Sequence, residues 1–177
     1  MIVCGLDIST SCIGVCIIND ASKKEYFYSF QPKGDDWMEK ASSAKNFLFE
    51  VFKLHKIEKV FVEENLQAFR PGLSSAKTLM SLARFNGIIS FMIQDIFDIK
   101  PKFINVNSAR KSLGIKIERK SKLSTKEQVF SWVDSHTSFD WPTKVMKSGK
   151  RKGKVVLQPF VYDMADAYGI AKSSFVQ

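Results

Sequence analysis

The sequence predicts an α/β fold with one mixed five-stranded sheet flanked by helices, and three observations predict it. Short apolar runs of strand length crowd the first 30 residues. From residue 37 onward, apolar residues recur at helical spacing in segments that alternate with further short runs, and polar or Gly/Pro-containing breaks separate the segments. With 177 residues, 45% of them hydrophobic, the chain can bury one substantial core, so a single domain over residues 1–177 is expected.

Ile2 to Ile8 and Ile13 to Ile18 are apolar runs joined by a Ser/Thr-rich turn, and Glu25 to Phe30 follows a polar turn at Asn19 to Lys24. These read as three antiparallel strands. Between Trp37 and Leu54, the residues Trp37, Ala41, Ala44, Phe47, Leu48, Val51 and Phe52 form an amphipathic helical stripe. Lys59 to Glu63 reads as a short buried strand, and Pro71-Gly72 breaks the loop after it. Ser74 or Ser75 can cap a helix running to about Phe97, whose apolar residues nearly encircle it. Lys102 to Val106 reads as a strand, Ser124 to Val133 as a helix with a Ser or Thr cap, and Tyr162 to Lys172 as the last helix. The expected order is βββαβαβαα. Lys144 to Lys154 has six basic residues, two glycines and no acid. It cannot bury a core, and it is expected to be a basic insertion, a mobile loop or hairpin within about 141–158.

The net charge of +9 is concentrated. Residues 100–154 hold 15 Lys or Arg against 4 Asp or Glu, and the remaining residues hold 12 against 14. A regional positive field points to a polyanion, because neutralising phosphates releases counterions; a solvated basic face is the alternative. Cys4, Cys12 and Cys16 lack metal-ligand spacing and sit among Ile and Val, and His55 and His136 are far from them, so buried reduced thiols are expected. No apolar run reaches membrane-spanning length and no leader pattern opens the sequence, so a soluble cytoplasmic protein is expected.

Four acids stand where acids need a reason. Asp7 ends the run Val3 to Leu6, and Glu63 ends Val60 to Val62. A carboxylate at the edge of a core costs free energy unless a cation, donor or water compensates it. Capping of the Ser9-Thr10-Ser11 turn is the plainer reading for Asp7. Strand alternation turns Glu63 and Glu64 to opposite faces, and Glu63 is the one expected to share a face with Asp7. Asp163 and Asp166 lie three apart at a helix start, on one face, where simple N-terminal capping is the competing reading. Together the four can converge on two Mg²⁺ or Mn²⁺ ions, hard cations that prefer carboxylate oxygen.

Gly5-Leu6-Asp7-Ile8-Ser9-Thr10-Ser11, Val62-Glu63-Glu64-Asn65 and Asp163-Met164-Ala165-Asp166-Ala167 resemble, in order and spacing, the acidic motifs of the RuvC-like Holliday junction resolvases. Gly114-Ile115 and Lys126-Glu127-Gln128-Val129 resemble that family's basic segment, so the likeness covers most of the chain. It implies a ribonuclease H-like fold, a homodimer and paired metal-dependent cuts across four-way or otherwise branched DNA. By position it implies that Asp7, Glu63, Asp163 and Asp166 bind metal, and that Lys126, with Arg110 or Lys111, lies near the reacting phosphate. The family's Pro-Gly after the first Asp is replaced here by Ile8-Ser9.

Where the family carries an aromatic that enters the junction centre, the candidates are Leu66 and Phe69, with Arg70 beside it on a loop lengthened by Gln67 to Gly72. Phosphate contacts are also expected from Arg119, Lys120 and Lys122, and from Lys147, Lys150, Arg151, Lys152 and Lys154 of the insertion, with Lys144 next to them. The apolar helix over 74–97 resembles the family's dimer helix, which would give its second apolar side a partner; complete burial within a monomer is the alternative. Three rival readings stand beside these: a sugar kinase or actin-like phosphate hairpin, opposed by chain length; a non-catalytic junction-binding module; and a nuclease for RNA–DNA hybrid or flap.

Overall fold

The computed structural model describes residues 1–64 and 75–176, with Arg151 described by its backbone only. Strands β1 (Ile2–Ile8), β2 (Ile13–Asn19) and β3 (Lys24–Phe30) form an antiparallel meander. The stripe beginning at Trp37 forms α1 (Trp37–His55), whose first turn is capped by Asp36 accepting from the Met38 and Glu39 amides. Strand β4 (Lys59–Glu63) then lies parallel to β1, and β5 (Lys102–Ile104) parallel to β4, giving the sheet order β3-β2-β1-β4-β5. Between β4 and β5 runs α2 (Ala76–Phe97), capped by the Ser75 hydroxyl. The mixed five-stranded sheet is as the apolar runs predict.

Strand alternation splits the core into two layers. Cys4, Leu6, Ile8, Val60 and Val62 pack with α1 and α2 on one face. Val3 and Phe61 pack with the other helices on the opposite face: α3 (Val106–Ser112), α4 (Thr125–Asp134) and α5 (Val161–Ser173). The Ser124 cap of α4 is a full capping box with Glu127. Helix α5 is buried almost throughout, from Met164 to Ala171, because it lies directly on β1 and β2.

Two glycines allow that approach. A Cβ on Gly5 would lie 2.2 Å from the Ala167 carbonyl oxygen, and one on Gly14 would lie 2.2 Å from the Asp163 carbonyl oxygen. Backbone therefore packs on backbone, and Gly14 is the register partner of Asp7. The contact that seats α5 also fixes Asp163 next to Asp7's strand pair.

Two expectations need correction. The strand expected over 102–106 stops at Ile104, and Val106 opens α3, capped by Asn105. That helix has only seven residues, too few for a periodic stripe to declare it. The basic insertion is an ordered hairpin, of the two forms expected for it, made of β6 (Thr143–Val145) and β7 (Val155–Leu157). The order βββαβαβαα therefore lacks α3, β6 and β7. Helix α2 is not enclosed on all sides: Phe85, Ile89 and Ile93 are buried, while Met80 and Phe91 are exposed. Among the described residues, no helix is long and apolar enough to cross a membrane.

Candidate active site: four acids at one end of the sheet

Asp7 and Glu63 stand at the carboxyl ends of neighbouring parallel strands, where open α/β sheets hold their ligands. Alternation decides between the adjacent glutamates. Phe61 belongs to the layer under α5, so Glu63, two residues on, points to the same side as Asp7. The Glu63 carbonyl accepts from the Asn86 side chain of α2 at 3.1 Å, and Asn86, itself buried, takes the Ser90 hydroxyl at 3.2 Å. A buried polar relay thus pins the end of β4. Asn86 is a polar residue inside an apolar stripe, which was the available signal in the sequence, and it was missed.

The turn after Asp7 closes without it. The Ser9 hydroxyl donates to the Cys12 carbonyl at 2.9 Å and accepts from the Cys12 amide at 3.0 Å. This removes the capping reading for Asp7, whose carboxyl meets the other acids instead. Burial holds the Asp7 carboxyl well above the ordinary carboxylate range, and the negative charges of Glu63, Asp166 and Asp163 push it further, against the pull of Lys126. Glu63 is raised by burial and by Asp166, while a hydrogen bond from Asp7 moderates it. The two buried carboxyls therefore disfavour carrying full negative charge together.

Asp163 and Asp166 face the same centre from α5, and neither caps it; the cap position is Phe160, with no side-chain cap bond. Lys126 of α4 reaches Asp163 at 2.9 Å, and Arg110 of α3 reaches Asp166 at 3.3 Å. Burial raises the Asp166 carboxyl, and Arg110 and Lys126 draw it part of the way back. Partial burial opposes the charge on Lys126, but its bond to Asp163 and the nearby Asp7 and Asp166 outweigh that, so it stays protonated above its usual value.

The structure therefore brings together Asp7, Glu63, Asp163, Asp166 and Lys126, and it selects Arg110, half-buried, over the exposed Lys111. Cys12 is an addition that the sequence did not single out. Its buried thiol hydrogen-bonds Asp163 and is pushed up to about 12, by burial first and then by that acid. Cys4, Cys12 and Cys16 are buried and free, as expected.

Among the described residues, the remaining basic candidates form no ion pair with the acids. Arg119, Lys120 and Lys122 are exposed on the segment leading into α4, and Lys147, Lys150, Lys152 and Lys154 are exposed on the hairpin. Arg151 lies in the hairpin's tip turn, Gly149–Arg151. Phe69, Arg70 and Leu66 lie outside the described residues.

Four hard-oxygen donors around a buried, repelling centre suit a divalent cation, because adding positive charge relieves the repulsion among the carboxyls. Among the described residues, no three His, Cys, Asp or Glu side chains form a ready-made metal site. Lys126 and Arg110 balance part of the charge as the side chains stand. The donor set fits, and its carboxylates would have to turn from their present partners.

A mixed sheet ordered β3-β2-β1-β4-β5, with acids at the ends of β1 and β4 and on the covering helix, defines a ribonuclease H-like α/β fold. The solved structures similar to this fold include RuvC of Thermus thermophilus in complex with a Holliday junction substrate: TM-score 0.60, 15% identity, covering 98% of this chain and 91% of that one. A second Thermus thermophilus RuvC structure matches at TM-score 0.59 and 16% identity, over 98% and 92% of the two chains. The yeast mitochondrial Holliday junction resolvase Ydc2 matches at TM-score 0.54 and 15% identity, over 97% and 76%. At such identities the likeness is one of fold, and it confirms the fold that the motifs imply. No family model and no curated protein matches the chain.

Proposed function

We propose that this protein is a structure-selective endonuclease that hydrolyses phosphodiester bonds in four-way DNA junctions, within a single nuclease domain. The observation that carries the reading is the convergence of Asp7, Glu63, Asp163 and Asp166 at the carboxyl ends of β1 and β4, in a fold shared with junction resolvases. The regional positive charge supplies a surface for the polyanionic substrate.

In this reading the four carboxylates hold two Mg²⁺ or Mn²⁺ ions. Bound there, such ions would supply positive charge to the phosphate and lower the pKa of the attacking water. Lys126 and Arg110 then exchange their carboxylate partners for oxygens of the scissile phosphate, with Arg110's planar fork suited to two of them. Arg119, Lys120, Lys122 and the hairpin lysines hold flanking phosphates and set register and orientation.

The protein acts as a homodimer through α2 in this proposal. The support is an apolar groove of about 730 Å³, bounded by Trp37, Met38, Gly87, Ile88 and the exposed Phe91. A second copy would cover these side chains and set two sites across the junction.

The test is cleavage of a synthetic four-way junction beside duplex, flap and RNA–DNA hybrid, with Mg²⁺, Mn²⁺ or EDTA. Paired symmetric nicks in the junction, abolished by EDTA and by Asp7→Asn while junction binding persists, are expected. Cutting of the hybrid or flap alone would move the substrate, and tight binding without cutting would make the protein a non-catalytic module.

A further inference from the structure

The hairpin before α5 carries more than charge. Between Trp141 and Tyr162 there is no acidic residue, and Lys144, Lys147, Lys150, Lys152 and Lys154 all lie on the hairpin or its tip. Its base is anchored: the Gln158 amide donates to the Pro142 carbonyl at 2.9 Å, and Leu157 packs against the core layer under α5. Its tip is closed by the Met146 amide on the Lys154 carbonyl at 2.9 Å, the Gly153 amide on the Met146 carbonyl at 2.8 Å, and the Lys152 amide on the Gly149 carbonyl at 3.0 Å. Gly149 and Gly153 take positive φ, 74° and 83°, in open space, so the tip geometry needs glycine at both. The element is thus built to hold a shape.

What it holds out is apolar. Val145 and Val155 are register partners on one face of the hairpin, and they are 58% and 66% exposed. Thr143 and Leu157 share their face by alternation, and Leu157 is taken up by the core, which leaves the two valines projecting beyond it. Their β-branched side chains favour the extended strands, and as register partners they also join into one apolar spot among the lysines.

We propose that Val145 and Val155 form an apolar wedge that enters the minor groove of a DNA arm beside the branch, while the surrounding lysines hold the two phosphate walls. This rests on the DNA-cutting reading above. The charge of the hairpin selects a polyanion over an apolar protein surface. The chemistry of its outer face selects the minor groove. A ribbon reading base edges in the major groove presents donors and acceptors, and this face presents valines, which suit the sugar walls and the unstacking of a base step. Val155 stands eight residues before Asp163 in the chain, and Leu157 packs in the same core layer as Val161 and Met164 of α5, so the hairpin's base adjoins the helix that carries Asp163 and Asp166.

The experiment compares the wild-type protein with Val145→Ser/Val155→Ser, two exposed positions where the change leaves folding intact, with the melting temperature as the check. Binding to a four-way junction and to a duplex of the same sequence is measured across a salt series, with 2-aminopurine in the arm next to the branch. For the double variant, junction affinity is expected to fall about tenfold with an unchanged salt slope, and the 2-aminopurine fluorescence seen with wild type is expected to disappear. Wild-type affinity and fluorescence in the variant would overturn the wedge while leaving junction cleavage by the wild type untouched. An unchanged DNA affinity together with loss of self-association would instead assign the valines to a protein contact. If the wild type binds none of these DNAs, the nuclease reading itself fails.

Discussion

The acid cluster and the hairpin meet at the start of α5, and they are held by opposite means. The cluster is assembled from β1, β4, α3, α4 and α5, with backbone pressed on backbone at Gly5 and Gly14, and its carboxyls are buried against one another. The hairpin is held by a few local hydrogen bonds and one packed base, and most of its lysines and both of its outer valines stand in water. Chemistry that depends on mutual repulsion among carboxylates needs long-range rigidity, whereas grip on a polyanion needs only reach and charge. Substitutions should therefore act on stability and on binding in opposite proportions in the two regions.

The largest effect is expected at Gly14. A methyl there would meet the Asp163 carbonyl at 2.2 Å, and neither partner is a flexible side-chain end, so α5 must lift from β1 and β2. Gly14→Ala should cost about 3 kcal/mol or more, at or above the upper end for overpacking a core, and should displace Asp163 from Asp7. Thermal unfolding measures the first consequence. An unchanged melting temperature would mean that the helix seat is softer than the close approach implies.

Asp7→Asn separates function from stability within the cluster. Burial, Glu63 and the two α5 acids raise the Asp7 carboxyl in the folded state, so above the ordinary value near 3.8 the folded chain holds a proton that the unfolded chain has released. Folding stability therefore falls as pH rises from that value toward the raised one, and it stays lower above both. Asparagine removes the charge, so the metal-free variant should be more stable than wild type at neutral pH. The gain should read as a raised melting temperature at neutral pH that vanishes near pH 3, where both chains carry a neutral side chain at position 7. A loss of stability at neutral pH would show that Asp7 is held charged by its neighbours.

Local rules carried most of the reading from sequence, and it ran out where distant segments meet. Strands β1 and β4 and the helices from Trp37 and Ser75 were legible because their periodicity is long enough to count. Asp7 and Glu63 stood out because each ends an apolar run, and Asp163 and Asp166 because they share one face at a helix start, where capping competed. Arg110 could not be separated from Lys111, because α3 is too short to announce its phase, and only a helix decides which of two neighbours turns inward. Gly5 and Gly14 looked like ordinary strand glycines, since the carbonyls they accommodate belong to Ala167 and Asp163 at the other end of the chain. The hairpin's strands are three residues each, below the length at which alternation speaks, so its basic composition was visible and its ordered form was left open.

The smallest effect on folding is expected from the hairpin lysines. Lys147, Lys150 and Lys152 are exposed, and among the described residues none forms an ion pair. Replacing all three with glutamine should shift stability by no more than about 0.5 kcal/mol. Binding should respond differently. If each lysine neutralises one phosphate, the slope of log affinity against log salt becomes shallower by about 0.9 per lysine, or about 2.7 for the three. Junction affinity measured from low to moderate salt reads that slope directly. A parallel line of lower affinity would mean that the lysines shape the hairpin without touching phosphate, and an unchanged line would remove the hairpin from the DNA surface.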